Sequence, residues 1–253
     1  MKRSQPVLPA GYRLIVHDSI GSTNDEAKRL ARDGAAEGTL VWALEQTAGR
    51  GRRGRPWLSP RGNLYISLIM RPDSPADRAA QLGFVAALGI GDGLAALLPL
   101  RGNLSYKWPN DVLVSGRKIA GILLESETTM LGRLAFLVVG VGINLVTSPQ
   151  NTEFPATSIK QQNLGDVAPA VMLEAFIQHF QIWERRWREC GFAPVRAAWR
   201  LAATGRGEPI QVRLGAATLC GRFRDIDEEG ALMLDAEGQC RHIAVGEVFP
   251  ATC

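Results

Sequence analysis

The chain has 253 residues, with 46% hydrophobic and 21% charged side chains, the profile of a soluble globular protein and not of a disordered one. Its 29 basic against 25 acidic residues leave a net charge of +4, too little over this length to point to nucleic acid. The start, MKRSQPVLPAG, has no apolar segment behind its basic residues, and the apolar run 134–146 is shorter than the roughly 18 residues of a membrane span, so neither a leader nor an anchor is expected.

In chain order, residues 12–17 (YRLIVH) read as a first strand. Ser22-Thr23-Asn24-Asp25-Glu26 then offers two capping pairs, Ser22 with Asp25 and Thr23 with Glu26. Ala27, Leu30 and Ala31 continue at helical spacing, and Gly34 can close that helix. Residues 39–45 and 63–70 read as strands on either side of a Gly/Arg segment. Residues 76–98 read as a long apolar helix, weakened by Gly83, Gly89, Gly91 and Gly93, for which close packing against a sheet is one explanation. A β-rich stretch covers 105–145, with Ser115-Gly116 as its first hairpin turn. Residues 148–168 read as an irregular connection. Residues 171–188 form an amphipathic helix whose stripe of Leu173, Phe176, Ile177, Phe180, Trp183 and Trp187 is core material. After Gly205 short alternating runs separated by DEEG and DAEG predict a small antiparallel barrel appended to an α/β domain. The cysteines at 190, 220, 240 and 253 show no CxxC spacing and read as free thiols of a cytoplasmic protein.

The segment from Gln46 to Trp57 (QTAGRGRRGRPW) is the most informative. Gly49, Gly51 and Gly54 match GxGxxG, but a dinucleotide fingerprint must open into a helix, and here Pro56 and Pro60 follow. A Walker A loop fails too, because Gly54 precedes Arg-Pro. What remains is a loop in which Arg50, Arg52, Arg53 and Arg55 lie within a Debye length of about 8 Å and repel one another until an anion arrives. Ordering seven residues costs about 7–14 kcal/mol. That exceeds the return from a few charge-assisted hydrogen bonds, so closure also needs apolar packing, for which Trp57 is the candidate. A solvated basic loop is the alternative. KWPND at 107–111 is either a strand running into a tight turn or a cation and carboxylate set for chemistry. In GRKIAGIL at 116–123, Gly121 permits close approach of a ligand or serves a hairpin register. In GVGIN at 140–144, Asn144 needs a partner if buried.

Together these pieces resemble the biotin protein ligases: Ser22-Thr23-Asn24, Gln46 with GRGRRG at 49–54, KWPND, GRKIAGIL and GVGIN occur in the family's order and approximate spacing. The fold this implies is α+β, a mixed or antiparallel central sheet with flanking helices (the class II synthetase-like biotin/lipoate ligase core) over residues 1–204. A small SH3-like β-barrel would follow over 205–253. The implied activity joins biotin to ATP as biotinyl-5′-AMP and passes biotin to a lysine of a biotin carboxyl carrier protein, with Mg²⁺ accompanying the ATP. By resemblance, Ser22, Thr23, Asn24 and Gln46 line the biotin pocket. Arg50, Gly51 and Arg52 lie on the closing loop that begins at Gly49 and contacts both biotin and nucleotide. Trp57 packs near adenine, and Asn144 and Asn110 lie by the nucleotide. Lys118, with Gly121 three residues on, bridges the biotin carboxylate and α-phosphate. Asp111 orients or deprotonates the acceptor lysine. No resident metal ligands are implied.

Some family members carry an N-terminal helix-turn-helix domain. Only 21 residues precede Ser22, so no DNA-binding role is expected, and the protein reads as a monomer or homodimer away from membranes. Pro56 also stands where a basic residue is familiar in the family. Two other readings are a lipoate–protein ligase, which generally lacks GRGRRG, and a non-catalytic RNA-binding module, which calls for further basic clusters interleaved with aromatics; none stand out in the sequence.

Overall fold

A computed structural model describes residues 6–100, 102–131, 133–215 and 217–251. It begins with strand β1 (Arg13–His17), followed by helix α1 (Thr23–Arg32). Of the two capping pairs, the chain uses Ser22, whose Oγ accepts from the Asp25 amide at 3.4 Å. The Thr23 hydroxyl is thereby left for the interior. Strand β2 (Thr39–Ala43) leads through the Gly/Arg segment to β3 (Leu64–Met70), and every residue of both strands is buried.

The expected long helix divides into α2 (Ala76–Ala79) and α3 (Leu82–Leu97). By length and composition residues Ala76–Leu97 could cross a membrane, yet most of them are buried inside the protein. The glycines of α3 serve both packings: a Cβ at Gly91 would collide with Tyr106 and one at Gly83 would stand 3.4 Å from Leu124, both on the sheet as expected, while Gly89 and Gly93 face a second helix. A Cβ at Gly89 would stand 3.0 Å from Phe180 Cα, and one at Gly93 3.2 Å from the Phe176 amide nitrogen, both on helix α4 (Pro169–Cys190). Only glycine lets the two helix backbones approach this closely.

Strands β4 (Leu104–Lys107) and β5 (Asp111–Val114) form a hairpin whose connection contains the cis Trp108–Pro109 peptide. Strands β6 (Arg117–Thr128) and β7 (Leu134–Ile143) follow. Ser115 and Gly116 both have positive φ (51° and 71°), as a tight two-residue hairpin turn demands, so that turn stands where it was expected. The seven strands make one sheet in the order β1-β2-β3-β7-β6-β5-β4, parallel only between β1 and β2. One face carries the main core, with α3 and α4 packed on it. The other face holds a smaller core in which Ala27 and Ala31 of α1 meet Val41, Ile69, Phe136 and Val138.

The aromatic stripe of α4 is core, as expected: Phe176, Phe180 and Trp187 are buried, and Trp183 Nε1 donates to Asp92 at 2.7 Å. Helix α5 (Phe192–Leu201) was not foreseen; Gly191 at φ 72° separates it from α4, and its Pro194 sits harmlessly in the first turn. A second, antiparallel sheet follows, built from β8 (Pro209–Arg213), β9 (Thr218–Ile226), β10 (Leu232–Ala236), β11 (Gln239–Ile243) and β12 (Glu247–Pro250). Its order is β11-β10-β9-β8-β12. Trp108 Nε1 donates to Gly230 O at 3.0 Å and ties the two sheets together. Cys190 and Cys240 are free and exposed, whereas Cys220 is disulfide-bonded, against the expectation of a free thiol; Cys253 lies outside the described residues.

Candidate active site

Side chains alternate between the two faces of a strand. On the α1 side of the sheet, three central positions carry none: Gly121 on β6, and Gly140 and Gly142 on β7. Gly121 pairs directly with Gly142. A Cβ at Gly142 would stand 2.6 Å from Trp57 Nε1, and one at Gly121 3.1 Å from Trp57 Cζ3, so the indole rests on both. Gly140 gives the same room to the Asn24 side chain. Above this bare floor opens a cleft of about 400 Å³. Its floor is a sequence effect, since any larger residue at these three positions would fill it.

At the α1 end the polar atoms are held by one another. Thr23 gives both its amide (2.8 Å) and its hydroxyl (3.0 Å) to Gln46 Oε1. Gln46 Nε2 reaches Ser59 Oγ at 3.0 Å, and Ser59 donates to Trp57 O at 2.8 Å. Asn24 Oδ1 accepts from Ser67 at 2.5 Å, and Asn24 Nδ2 donates to Glu125 at 2.7 Å. Four charges surround this end and cancel: Arg50 and Lys28 against Asp25 and Glu125.

The opposite end is not balanced. Asp111 is 6% exposed and lies between two lysines, Lys118 Nζ at 2.5 Å from Oδ1 and Lys107 Nζ at 3.3 Å from Oδ2. Burial by itself would raise the Asp111 carboxyl, but the two ammonium groups outweigh it and hold it below the usual carboxylate range. Burial pushes the Lys107 ammonium down, with Asp111 opposing. The Lys107 ammonium also faces the Phe154 and Phe249 rings, at 4.5 and 5.6 Å, and Lys118 stands 5.3 Å from the Trp57 ring. Two cations on one carboxylate leave a surplus positive charge in a poorly hydrated place, where it is costly until an anion joins it.

The Gly/Arg segment is a hairpin. Gly51 N donates to Arg55 O at 2.7 Å and Trp57 N to Gly49 O at 2.9 Å, around a turn in which Arg53 has φ 56°. The four arginines do not face one another as the expected repulsion assumed; each has its own partner. Arg50 grips Asp25 at 2.6 Å and Glu125 at 3.0 Å, Arg52 donates to Gly246 O at 2.9 Å, Arg53 reaches Arg213 O at 3.4 Å, and Arg55 pairs with Glu247. Three of the four arginines find their partner in the second sheet or the residue leading into it. Burial draws the Arg52 guanidinium below its ordinary value, with Glu247 opposing.

Ser22, Thr23, Asn24, Gln46, Arg50, Gly51, Arg52, Trp57, Asn110, Asp111, Lys118, Gly121 and Asn144 all line the cleft. Gly49 does not; it sits at the hairpin base, where a Cβ would stand 2.6 Å from Ser59 Oγ. Asn144 is buried and has the partner that burial demands, donating to Thr157 O at 3.0 Å, and Asn110 donates to Ile122 O at 2.7 Å. Among the contributors missed, Lys107, Phe154, Glu247 and Phe249 bring charge or an aromatic ring to the cleft. Lys107 was visible in KWPND. The other three come from an irregular connection and a distant strand, which no local pattern links to the site. Glu125 and Asp25, which hold Arg50, were missed as well; two acids spaced by one on β6 (Glu125 and Glu127) were the available signal.

A family model described as the Biotin/lipoate A/B protein ligase family matches residues 16–144, and one described as the Biotin protein ligase C terminal domain matches 206–249. The Biotin--[acetyl-CoA-carboxylase] ligase of Paracoccus denitrificans is 42% identical over 233 residues, which are 90% of this chain and 96% of that protein. The Bifunctional ligase/repressor BirA of Bacillus subtilis is 35% identical over 94% of this chain and 74% of its own length. Among solved structures, a biotin protein ligase from Aquifex aeolicus in complex with biotin and ATP superposes with a TM-score of 0.80 at 27% identity, covering 94% of this chain and 97% of the other.

Proposed function

The chain belongs to the biotin/lipoate A/B protein ligase family, and from that membership we infer how its own residues carry the reaction. It is an ATP-dependent biotin ligase: it activates biotin to biotinyl-5′-AMP and transfers biotin to the ε-amine of a lysine on a biotin carboxyl carrier protein. In the first step a carboxylate oxygen of biotin attacks the α-phosphorus, the α–β phosphoanhydride bond breaks, and pyrophosphate leaves. In the second the lysine ammonium first loses a proton to solvent, the freed amine nitrogen attacks the acyl carbon, AMP leaves, and the remaining extra nitrogen proton passes to solvent. Biotin's carboxylate is already ionised near pH 7, so the first step needs positive charge and not a base.

The observation that carries the assignment of roles is the asymmetry of the cleft. Its lysine end has an unbalanced cation set suited to a carboxylate meeting a phosphate, and its α1 end has a neutral, mutually bonded polar rim suited to an uncharged ureido ring. Ser22, Thr23, Asn24 and Gln46 would bind that ring. Lys118 would leave Asp111 to bridge the carboxylate and α-phosphate. Asp111, held as a carboxylate of low basicity, is better suited to orienting an ammonium than to removing its proton, and orienting the acceptor lysine is the role we assign it. Arg50, Gly51 and Arg52 would close over the adenylate, Trp57 would pack near adenine, and Asn110 and Asn144 would shape the nucleotide side. Closure would keep water from the mixed anhydride.

Among the described residues no group of three or more His, Cys, Asp or Glu side chains could cage a metal. Mg²⁺ would enter with the substrate as MgATP. We further propose residues 1–204 as the catalytic domain and 205–253 as a small barrel-like domain, a carrier domain of a carboxylase as the partner, and a cytoplasmic monomer or homodimer with no DNA or membrane role. Incubating the protein with MgATP, an apo carrier domain and each acyl acid in turn tests the reading by mass spectrometry. A mass gain of one biotin on one lysine is expected; transfer of lipoate or octanoate in its place would overturn it.

A further inference from the structure

We propose that Glu125 is a positioning residue for biotin activation: one carboxylate sets the direction of the Asn24 amide in the biotin pocket and restrains Arg50 of the closing hairpin. The inference rests on the reading of the cleft given above and adds a residue that does not itself line it.

The argument starts from hydrogen-bond polarity. A carboxylate only accepts, whereas an amide side chain can face either way. With Glu125 Oε2 at 2.7 Å, Asn24 must turn its Nδ2 toward β6 and its Oδ1 toward Ser67, 2.5 Å away. Ser67 then has to be the donor in that contact. Its single proton is used, so the Thr23 hydroxyl, 2.8 Å from Ser67 Oγ, keeps its own proton for Ser67 or for Gln46 Oε1 at 3.0 Å. Gln46 accepts the Thr23 amide on the same oxygen, which directs its Nε2 to Ser59 and the Ser59 proton to the carbonyl of Trp57. The acceptor on β6 thereby fixes the orientation of Asn24 and the proton of Ser67, while the Thr23 amide fixes Gln46, and that pattern ends on the hairpin.

The same carboxylate binds the hairpin from its other end. Arg50 Nη2 lies 3.1 and 3.0 Å from the two Glu125 oxygens, and Lys28 Nζ lies 2.9 Å from Oε1. Burial alone would raise the Glu125 carboxyl, but hydrogen bonds from Asn24, Lys28 and Arg50 outweigh it and keep it ionised. Two residues along the same strand, Glu127 pairs with Arg32 of α1, and among the described residues its hydrogen bonds go to neither Asn24 nor Arg50. The two glutamates are alike in strand, helix partner and charge, and differ in contact with Asn24 and Arg50.

Glu125→Gln keeps the size, removes the charge and lets the amide at 125 present either atom to Asn24. In the intact chain, measured by biotin-dependent pyrophosphate release, KM for biotin should rise about tenfold. KM for MgATP should change less than twofold and kcat less than threefold, with melting at neutral pH lowered only by the share of stability the lost ion pairs supply. Bound biotinyl-AMP should dissociate several-fold faster, because Arg50 loses one of its two anchors. Ser67→Ala frees the opposite edge of Asn24 without touching a charge; it should raise KM for biotin a few-fold and leave biotinyl-AMP retention unchanged, and it decides the matter if the Gln variant does not fold. Glu127→Gln should leave KM for biotin as it is. An unchanged biotin KM in Glu125→Gln, equal losses for biotin and ATP, or the same biotin defect in Glu127→Gln would overturn the proposal. If the wild type releases no biotin-dependent pyrophosphate, the reading of the cleft fails first.

Discussion

The two ends of the cleft are built on opposite principles. At the α1 end every polar side chain has a neighbour and the four charges of Asp25, Lys28, Arg50 and Glu125 cancel. At the lysine end, Lys107 and Lys118 share one buried carboxylate. A balanced rim is pre-organised and loses little when a neutral ligand replaces water. An unbalanced one gains most from a ligand that brings negative charge, and gains it where the chemistry needs it. On the proposed reading, recognition of a ring and stabilisation of developing charge are separated along one glycine floor.

The comparison breaks most sharply at Lys118. Lys118→Ala should cut biotinyl-AMP formation by about 10²–10³-fold, the range for loss of a preorganised group at the reacting centre, read as pyrophosphate release; a normal rate would refute its place at the lysine end. Next comes the floor the two ends share. Gly142→Ala puts a methyl 2.6 Å from Trp57 Nε1 and must lift the indole, so KM for MgATP should rise about tenfold, a shift of about 1.4 kcal/mol, with a blue- or red-shifted Trp emission as the structural check. Arg52→Ala removes the bond to Gly246 O and should leave melting unchanged while biotinyl-AMP escapes into solution several-fold faster; retention as in the wild type would separate the hairpin from any sealing role.

The smallest effect sharpens the electrostatic contrast. Asp111 is depressed by its two lysines and Glu125 by hydrogen bonds from Asn24, Lys28 and Arg50, both despite burial. A depressed folded-state value means that the stabilisation is full above the unfolded carboxylate range of about 3.9–4.3 and is lost as pH falls through the folded value. Melting temperature should therefore be flat from pH 7 to about 5 and fall below about 4. In Asp111→Asn and Glu125→Gln the acid branch should be shallower, and an identical acid branch would deny those carboxylates their share.

Much of the fold was legible because it follows local rules. Ser22 capping, the positive-φ turn at Ser115-Gly116 and the aromatic stripe of α4 each depend on neighbours within a few residues, and each formed as expected. Helix α5 was not legible, since Pro194 and Gly191 mask a ten-residue helix whose buried Phe192, Val195 and Trp199 make sense only against α3 and the second sheet. The Gly/Arg segment illustrates the same limit. Its four like charges predict self-repulsion when read alone, but in the fold Asp25, Glu125 and Glu247 and the carbonyls of Gly246 and Arg213 give every guanidinium a separate partner.

The sequence by itself determined which chemistry is present: glycines that clear a floor, the lysines of KWPND and GRKIAGIL, and an arginine hairpin in the order of one enzyme family. It did so because composition, capping and motif spacing act over short range. Only the tertiary structure decided that Lys107 and Lys118 meet on Asp111, that Trp57 rests on the Gly121–Gly142 pair, and that β12 supplies the counter-ion for Arg55. Those outcomes depend on strand register and on the docking of a second sheet nearly two hundred residues away, and burial there sets both the charge balance and its strength.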